Sequence, residues 1–157
     1  MNPLKSPRSF NLSRSVVVLV AALTALATPI FANARTMDHA AQAGGKKIVI
    51  SLAAGRVCAY QGGTAIFCTG ANMRGTRRGT FYIQNKLPVA KSFALGLRLP
   101  YWMGIYYGRG LQNGFHGIAY TSRGGRTGTS LGCIVMPAAA AIRLYRWASI
   151  GTPVIIR

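Results

Sequence analysis

Short apolar runs separated by glycine-rich turns recur along this chain and limit its fold more than any other feature. The first run covers residues 47–52, and two further runs, residues 56–60 and 64–69, flank a Gln-Gly-Gly segment. Runs rich in Val, Ile, Tyr and Phe and bounded by glycine are typical of β-strands, and the segment between the last two is typical of a hairpin turn. The pattern predicts a mainly β domain, which we place at residues 46–157.

The same pattern continues to the C-terminus and is interrupted by one helix. Further strands are predicted at residues 80–84, 101–107, 114–120, 134–136 and 151–156. Pro88 and Pro100 indicate an irregular segment over residues 87–100, because proline removes a backbone donor from a sheet. Pro137 precedes an alanine run that favours a helix over residues 138–147. We see neither a repeat nor a second domain.

The charge composition excludes several classes of enzyme. The chain has 19 Lys and Arg residues against one acidic residue, Asp38. Glycosidases use two carboxylates, and Mg²⁺ and Ca²⁺ sites are built from carboxylates, so the sequence argues against both. Three cysteines and two histidines without paired spacing do not form a zinc motif, and we expect no metal and no cofactor. A catalytic base would have to be His, Lys or Tyr, and a thiol is the strongest nucleophile available.

Residues 1–34 have the composition of a signal peptide. Basic residues precede an apolar stretch at residues 16–27, and Ala-Asn-Ala at residues 32–34 is a small-x-small cleavage site. A membrane anchor is the alternative, but the stretch is shorter than the roughly 20 residues that span a bilayer. Cleavage would leave a flexible leader at residues 35–45, the domain at residues 46–157, and no stable membrane span.

The positive charge implies an anionic partner. The whole chain carries a net charge of +18, and the chain from Arg35 onward would keep +15. Nucleic acid is the first candidate for such a chain. Export to the periplasm or cell wall would instead place the protein among anionic envelope polymers, so we expect those partners, no nucleic acid, and a monomer.

One histidine and one cysteine near the C-terminus form a candidate catalytic pair. His116 lies in a predicted strand, and Cys133 follows a loop rich in Gly, Ser, Thr and Arg. An imidazole is the usual activator of a thiol, and Gly132 leaves space beside the sulfur, where backbone N–H groups can hold an oxyanion. The alternative is a buried small hydrophobic cysteine and a core histidine.

The other two cysteines lie on opposite arms of one predicted hairpin. Cys58 and Cys68 are placed either to form a disulfide or to remain as two reduced core thiols. In both cases Cys133 is left unpaired, and an unpaired thiol in an exported protein is a candidate for a reactive group.

The most specific motif covers residues 130–134, Ser-Leu-Gly-Cys-Ile, with His116-Gly117 upstream of it. Together they resemble the Ser-x-Gly-Cys-Ile/Val signature and the His-Gly of the bacterial L,D-transpeptidase catalytic domain. The resemblance extends over residues 46–157, with further similar stretches at residues 69–70, 78–83, 85–86, 100–103, 144–145 and 151–154.

The resemblance implies a small β-sandwich with mixed sheets and one short C-terminal helix, capped by residues 87–107. Cys133 would be the nucleophile and His116 the general base, oriented by the backbone carbonyl of Gly117. Ser130 and Gly132 would complete the catalytic turn. The substrate would be a peptidoglycan tetrapeptide stem that loses D-alanine, and the acyl-enzyme would form a 3→3 cross-link with a second stem.

Substrate binding is where this chain departs from the family. Tyr101 and Trp102 lie in a stretch that resembles the substrate-side aromatic segment. Val135, however, stands where the family usually has Arg or Asn. Either a basic residue substitutes for the lost group, with Arg78, Arg123 and Arg126 as the candidates, or the choice of substrate has changed, or activity is low. The alternatives are a non-catalytic or weakly active cell-wall binding module on the same fold, and a cysteine hydrolase that trims stems.

Overall fold

Two β-sheets and one helix form the part of the chain that the computed structural model describes, residues 45–108 and 110–157. The elements in chain order are β1 (Lys46–Ser51), β2 (Arg56–Gln61), β3 (Thr64–Gly70), β4 (Gly79–Tyr82), β5 (Asn85–Ser92), β6 (Leu97–Gly108), β7 (Leu111–Gly117), β8 (Ala119–Tyr120), β9 (Arg126–Thr127), β10 (Ile134–Met136), α1 (Ala138–Trp147) and β11 (Pro153–Ile156). The predicted signal peptide, residues 1–34, and all but the last residue of the predicted leader lie outside the described residues.

Each sheet mixes parallel and antiparallel pairs. The first has the order β3-β2-β1-β11-β4, in which only β1 and β11 run parallel. The second has the order β10-β7-β6-β8-β9, with β5 also paired to β6, and only β10 and β7 run parallel. The predicted mainly β fold with mixed sheets and one short C-terminal helix is confirmed. Within the described residues, no helix is long and apolar enough to cross a membrane.

A single large core lies between the sheets and the helix. Ile48 and Ile50 of β1 are fully buried and share this core with Met103 and Ile105 of β6. Leu144 adds the buried face of α1. Successive side chains of a strand point to opposite faces, so every second residue of β1 enters the core while the others remain partly exposed.

The prediction of an irregular segment over residues 87–100 is wrong. These residues form β5 and the start of β6, joined by a 3₁₀ turn at Phe93–Leu95. Among the described strands β5 pairs only with β6, so it is an edge strand, where a missing N–H can face outward without breaking a ladder. Pro88 lies in this edge strand, and Pro100 stands opposite Val89 in the β5–β6 register. Pro88 therefore marks an edge strand, and Pro100 lies within the continuous strand β6, so neither residue ends a strand.

The sulfurs of Cys58 and Cys68 are bonded in the structure. The two residues face each other directly in the β2–β3 register, and their Cα atoms lie 4.1 Å apart. The structure therefore has the disulfide and not the two reduced thiols, and Cys133 is the free cysteine of the described residues.

Replacing both bonded cysteines by serine is expected to destabilise the domain by roughly 2–3 kcal/mol, because the unfolded chain regains the freedom of a short closed loop. Cys68 is exposed and Cys58 half-buried, so the serine side chains themselves cost little. Urea unfolding of the double variant beside the oxidised wild type measures the difference. Coincident unfolding midpoints would contradict the expectation.

Candidate active site

A cavity of about 1000 Å³ lies on the second sheet and brings the predicted catalytic pair together. Cys133 and His116 both line it, beside Trp102. Most of the remaining wall is apolar and comes from β5, the 3₁₀ turn and β6, the hairpin that the resemblance predicted as a cap. The cavity therefore places one thiol and one imidazole in a largely apolar surrounding.

Parallel pairing of β10 with β7 explains why these two side chains meet. In the register, Ile134 stands opposite Phe115 and Val135 opposite His116. Cys133 directly precedes β10 and is thereby brought beside the strand that carries His116, although the β8–β9 hairpin separates the two residues in sequence. The glycine-rich loop noted in the sequence contains that hairpin.

The His116 ring is buried and held in one tautomer. Its Nδ1 lies 2.6 Å from the carbonyl oxygen of Gly117, which can only accept, so Nδ1 carries the proton and Nε2 is left free to accept another. The Trp102 ring stacks beside it, with ring centroids 6.2 Å apart. Burial lowers the pKa of His116, and the hydrogen bond to Gly117 opposes that effect only in part. The imidazole is therefore a neutral base at neutral pH.

The Cys133 thiol is half-buried and protonated at rest. Its Sγ lies 3.8 Å from Oδ1 of Asn113, and its side chain packs against the cluster of Leu99, Trp102 and Ala119. Burial raises the pKa of Cys133, partly opposed by a hydrogen bond from the backbone of Gly114. Because the thiolate is the nucleophile, this thiol needs a base to take its proton as it attacks.

Ser130 fixes the backbone of the turn that carries the thiol. Its hydroxyl is buried and lies 2.6 Å from the Cys133 carbonyl oxygen and 2.9 Å from that of Arg74, and it accepts the Gly132 N–H at 3.2 Å. All of these partners are backbone atoms. The hydroxyl therefore holds the shape of the turn, which is the role of a turn residue rather than of a partner for the imidazole.

Three residues that sequence reasoning did not assign to the site also support this turn. The Tyr106 hydroxyl donates to the Gly132 carbonyl at 3.0 Å and accepts the Arg77 N–H at 3.0 Å. Thr76 Oγ1 lies 3.2 Å from the carbonyl oxygens of both Gly132 and Cys133. Asn113, the third, touches the thiol itself. No local motif marks these residues, since each reaches the turn from a distant part of the chain.

Gly132 is required by the geometry of the turn. Its φ is +129°, a region that side chains other than glycine rarely adopt. A Cβ at this position would lie 2.5 Å from Oδ1 of Asn113. Any side chain would therefore displace either the turn or Asn113, and both are in contact with the residue that carries the thiol.

The two aromatic residues predicted to bind substrate lie on different sides of β6. Trp102 lines the cavity, whereas Tyr101 packs against α1, with its ring centroid 5.8 Å from that of Tyr145. Tyr101 has a φ of +57°, the one positive value among the described non-glycine residues. Adjacent residues of a strand point to opposite faces, and the sequence alone did not show which of the two faces the cavity.

The three arginines predicted to bind substrate do not line the cavity. These three residues, all exposed, are Arg78, Arg123 and Arg126. Among the described residues, Lys91 is the one Lys or Arg at the cavity border. Val135 is only 4% exposed and borders a separate cavity of about 350 Å³ next to Asn72. No arginine of the described residues borders that smaller cavity. Over residues 45–108 and 110–157, no group of three His, Cys, Asp or Glu could hold a metal ion.

Solved structures share this fold at low sequence identity. An L,D-transpeptidase from Stackebrandtia nassauensis is 24% identical with a TM-score of 0.60, and the match covers 72% of this chain and 55% of that one. An L,D-transpeptidase from Mycobacterium smegmatis is 22% identical with a TM-score of 0.57, covering 72% and 58%. The LD transpeptidase LdtMt1, solved in complex with imipenem, is 18% identical with a TM-score of 0.59, covering 72% and 59%. The match thus spans little more than half the length of these proteins.

Comparison by sequence gives the family. None of the curated proteins matches this chain. A family model described as the L,D-transpeptidase catalytic domain, YkuD, matches residues 45–156, which is nearly the whole of the described chain. With its mixed sheets, its single helix and its Ser-x-Gly-Cys turn, this chain belongs to the YkuD family of L,D-transpeptidase catalytic domains.

Proposed function

We propose that this protein is a peptidoglycan L,D-transpeptidase that forms 3→3 cross-links through an acyl-enzyme on Cys133. The observation that carries the proposal is the shared cavity, in which a free thiol and a neutral imidazole with an open Nε2 line one wall. The family supplies the substrate class, a peptidoglycan stem peptide. Residues 45–108 and 110–157 contain no Asp or Glu that could orient the histidine, and the Gly117 carbonyl fills that place.

The reaction that this geometry supports has two halves. In the first, Nε2 of His116 takes the thiol proton as Sγ attacks the carbonyl of the third residue of a tetrapeptide stem. The C–N bond to the terminal D-alanine then breaks, and the leaving amine receives that proton from the imidazole. In the second half, the amine of another stem attacks the thioester and loses a proton to Nε2. The sulfur leaves and is reprotonated, which restores the resting pair.

The oxyanion formed in each half needs a backbone donor. The Gly132 N–H already donates to Ser130, so we assign the Cys133 N–H as the donor to the oxyanion. The bonds from Thr76 and Tyr106 to the carbonyls of this turn hold that N–H in place before the substrate arrives. Their role is to position the turn and not to touch the reacting atoms.

The pH dependence of acylation follows from the two pKa shifts. Because burial lowers the pKa of His116 below its usual value of 6.5, we expect the acylation rate to be level at neutral pH and to fall to half at a pH below 6.5. Burial raises the pKa of Cys133, so a second rise in rate is expected only at strongly alkaline pH. Stopped-flow measurement of acylation across this range tests both. A half-maximal rate above pH 6.5 would contradict the assignment of a buried neutral base.

Peptidoglycan lies outside the cytoplasmic membrane, so the proposed substrate requires export. The composition of residues 1–34 is that of a signal peptide, and we propose that it directs the domain to the periplasm or cell wall. Mass determination of the protein recovered from intact cells would show cleavage near Ala34 as a loss of that segment. Recovery of the uncleaved chain from the cytoplasm would argue against access to the substrate.

The function is tested with defined muropeptides. We expect the protein to convert tetrapeptide stems into dimers with a 3→3 link and to release D-alanine, both detected by mass spectrometry. Leaving out the acceptor stem separates transfer from hydrolysis, since a hydrolase would yield tripeptide in either case. Absence of both products from a folded protein would overturn the proposal.

A second candidate function rests on Val135. Because this buried aliphatic side chain replaces a polar group, and none of the described arginines lines the cavity, the fold would also suit a module that holds peptidoglycan without turning it over. Binding to purified wall material would then weaken with salt and would be the same in a Cys133→Ala variant. Turnover of the muropeptides described above would rule this candidate out.

A covalent probe is suggested by both the family and the fold. The family resemblance implies that a carbapenem acylates the active thiol, and a structure of similar fold is a complex with imipenem. We therefore propose imipenem as the probe of Cys133, since its reaction requires neither an acceptor stem nor knowledge of the natural donor.

A further inference from the structure

Three basic side chains stand in one row across the second sheet. Lys91 of β5 is opposite Arg98 of β6, Arg98 is opposite Tyr120 of β8, and Tyr120 is opposite Arg126 of β9. Residues directly opposite each other in a sheet face the same way. We call these four residues the cationic row. With strands about 4.8 Å apart, the row is about 14 Å long.

Three members of the cationic row face away from the active-site cavity, whereas Lys91 borders it. The cavity is lined by Leu99, Ala119 and Thr127, which are the sequence neighbours of Arg98, Tyr120 and Arg126. Since successive side chains of a strand alternate between faces, these three members lie on the outer face of the sheet. Lys91, Arg98 and Arg126 are all exposed.

Within the described residues, no acidic group offsets the repulsion between the like charges of the row. Like charges directly opposite each other destabilise a sheet, and the sequence has no Asp or Glu after Asp38 to offset them. No described residue forms a salt bridge or side-chain hydrogen bond with Lys91 or Arg98. An anion outside the chain would therefore stabilise this row.

The hairpin that carries two of these charges ends in an exposed apolar tip. Phe93 is 89% exposed and Leu95 48% exposed in the 3₁₀ turn between β5 and β6. They belong to a cluster of exposed apolar side chains. Of the nine large apolar side chains that are exposed in the described residues, six border the active-site cavity: Leu87, Val89, Phe93, Leu95, Leu111 and Leu131. A clustered apolar surface of this kind marks an interaction site, whereas scattered exposed residues do not.

We propose that the tip at Phe93–Leu95 and the cationic row beside it dock this protein onto an anionic phospholipid bilayer. A soluble polyanion would neutralise the row but leave the Phe93 ring in water. A bilayer meets both requirements, because phosphate headgroups pair with the row while the aromatic ring enters the interface. Docking in this way does not depend on the proposed chemistry at Cys133.

The first experiment measures how deeply residue 93 of the full chain enters the bilayer. A Phe93→Trp variant is mixed with phosphatidylglycerol vesicles whose acyl chains are brominated, and the quenching of its tryptophan fluorescence is measured. The wild type, which contains Trp102 and Trp147, gives the background that is subtracted. Ile150→Trp, at a similarly exposed apolar position after α1, is the matched control. We expect extra quenching at position 93 only. The apolar stretch at residues 16–27 is the same in every variant, so it cannot produce this difference.

The charge requirement is tested in the same Phe93→Trp background. Replacing Lys91 and Arg98 by glutamine is expected to raise the lipid concentration for half-maximal quenching about 30-fold, whereas the same changes at Arg56 and Arg146 should raise it much less. Equal quenching of both tryptophan variants, or none at position 93, would overturn the proposal. Binding of soluble polyphosphate to the cationic row without any quenching by vesicles would identify a soluble polyanion as the partner instead, and would equally overturn it.

Discussion

Replacing Cys133 by alanine is expected to abolish covalent modification of this protein by imipenem. The reason is chemical, since Cys58 and Cys68 are joined in a disulfide and Cys133 is the free thiol in the described residues. The position of Cys133 is a second reason, because it lines the same cavity as His116. Intact-mass spectrometry should show one adduct on the wild-type chain and none on the variant.

The matched control for this experiment is Thr129→Ala. Thr129 borders the same cavity but carries neither the nucleophile nor the base, so the adduct should form as in wild type. Thermal melting of Cys133→Ala close to wild type would show that the fold is intact, as expected for loss of one half-buried sulfur atom. An adduct on the alanine variant, or a folded wild type that is never modified, would exclude Cys133 as the nucleophile.

The features that could be predicted from sequence depend on short stretches of chain. The β2–β3 hairpin follows from two apolar runs around Gln61 and two glycines, and α1 follows from an alanine run after Pro137. The thiol and the imidazole were identifiable because each lies in a short motif. Local propensity and motif spacing are sufficient for elements of this kind, since their signals lie within a few residues of one another.

The features that the sequence did not reveal depend on pairing between distant segments. A proline indicates a break unless its strand is known to lie at the edge of a sheet. Only the β5–β6 pairing shows that Pro88 lies in such an edge strand. Thr76 and Tyr106 reach the catalytic turn because the loop before β4 and the strand β6 meet there, which no spacing rule expresses. The same holds for Tyr101 and Trp102, because strand alternation separates them but only the fold shows that Trp102 is the one that lines the cavity.

The arginines illustrate a further limit of composition. With 19 basic residues in the chain, a basic loop is an easy candidate for substrate binding, yet Arg78 and Arg123 are exposed away from the cavity wall. Register places Arg126 in the cationic row on the outer face. Charge alone predicts an anionic partner, and only the sheet geometry suggests where such a partner would bind.

Replacing His116 by asparagine is expected to slow acylation by about 10²- to 10⁴-fold, the range associated with loss of a general base. Asparagine is the appropriate choice because its amide N–H can still donate to the Gly117 carbonyl, which keeps a buried polar group satisfied. What the variant lacks is an atom equivalent to Nε2. The imipenem acylation rate, measured with the protein in excess, gives the size of the effect.

The pH profile of this variant separates a base from a residue that only supports the fold. Without a base, only the small thiolate fraction reacts, so the rate of His116→Asn should rise about tenfold per pH unit towards the raised pKa of Cys133. The wild type should stay level over the same range, because His116 is already neutral there. A slow variant with a level profile would mean that the substitution displaced the thiol rather than removed a base. A variant as fast as wild type would show that Cys133 obtains its thiolate without His116, and the proposed proton path would then be wrong.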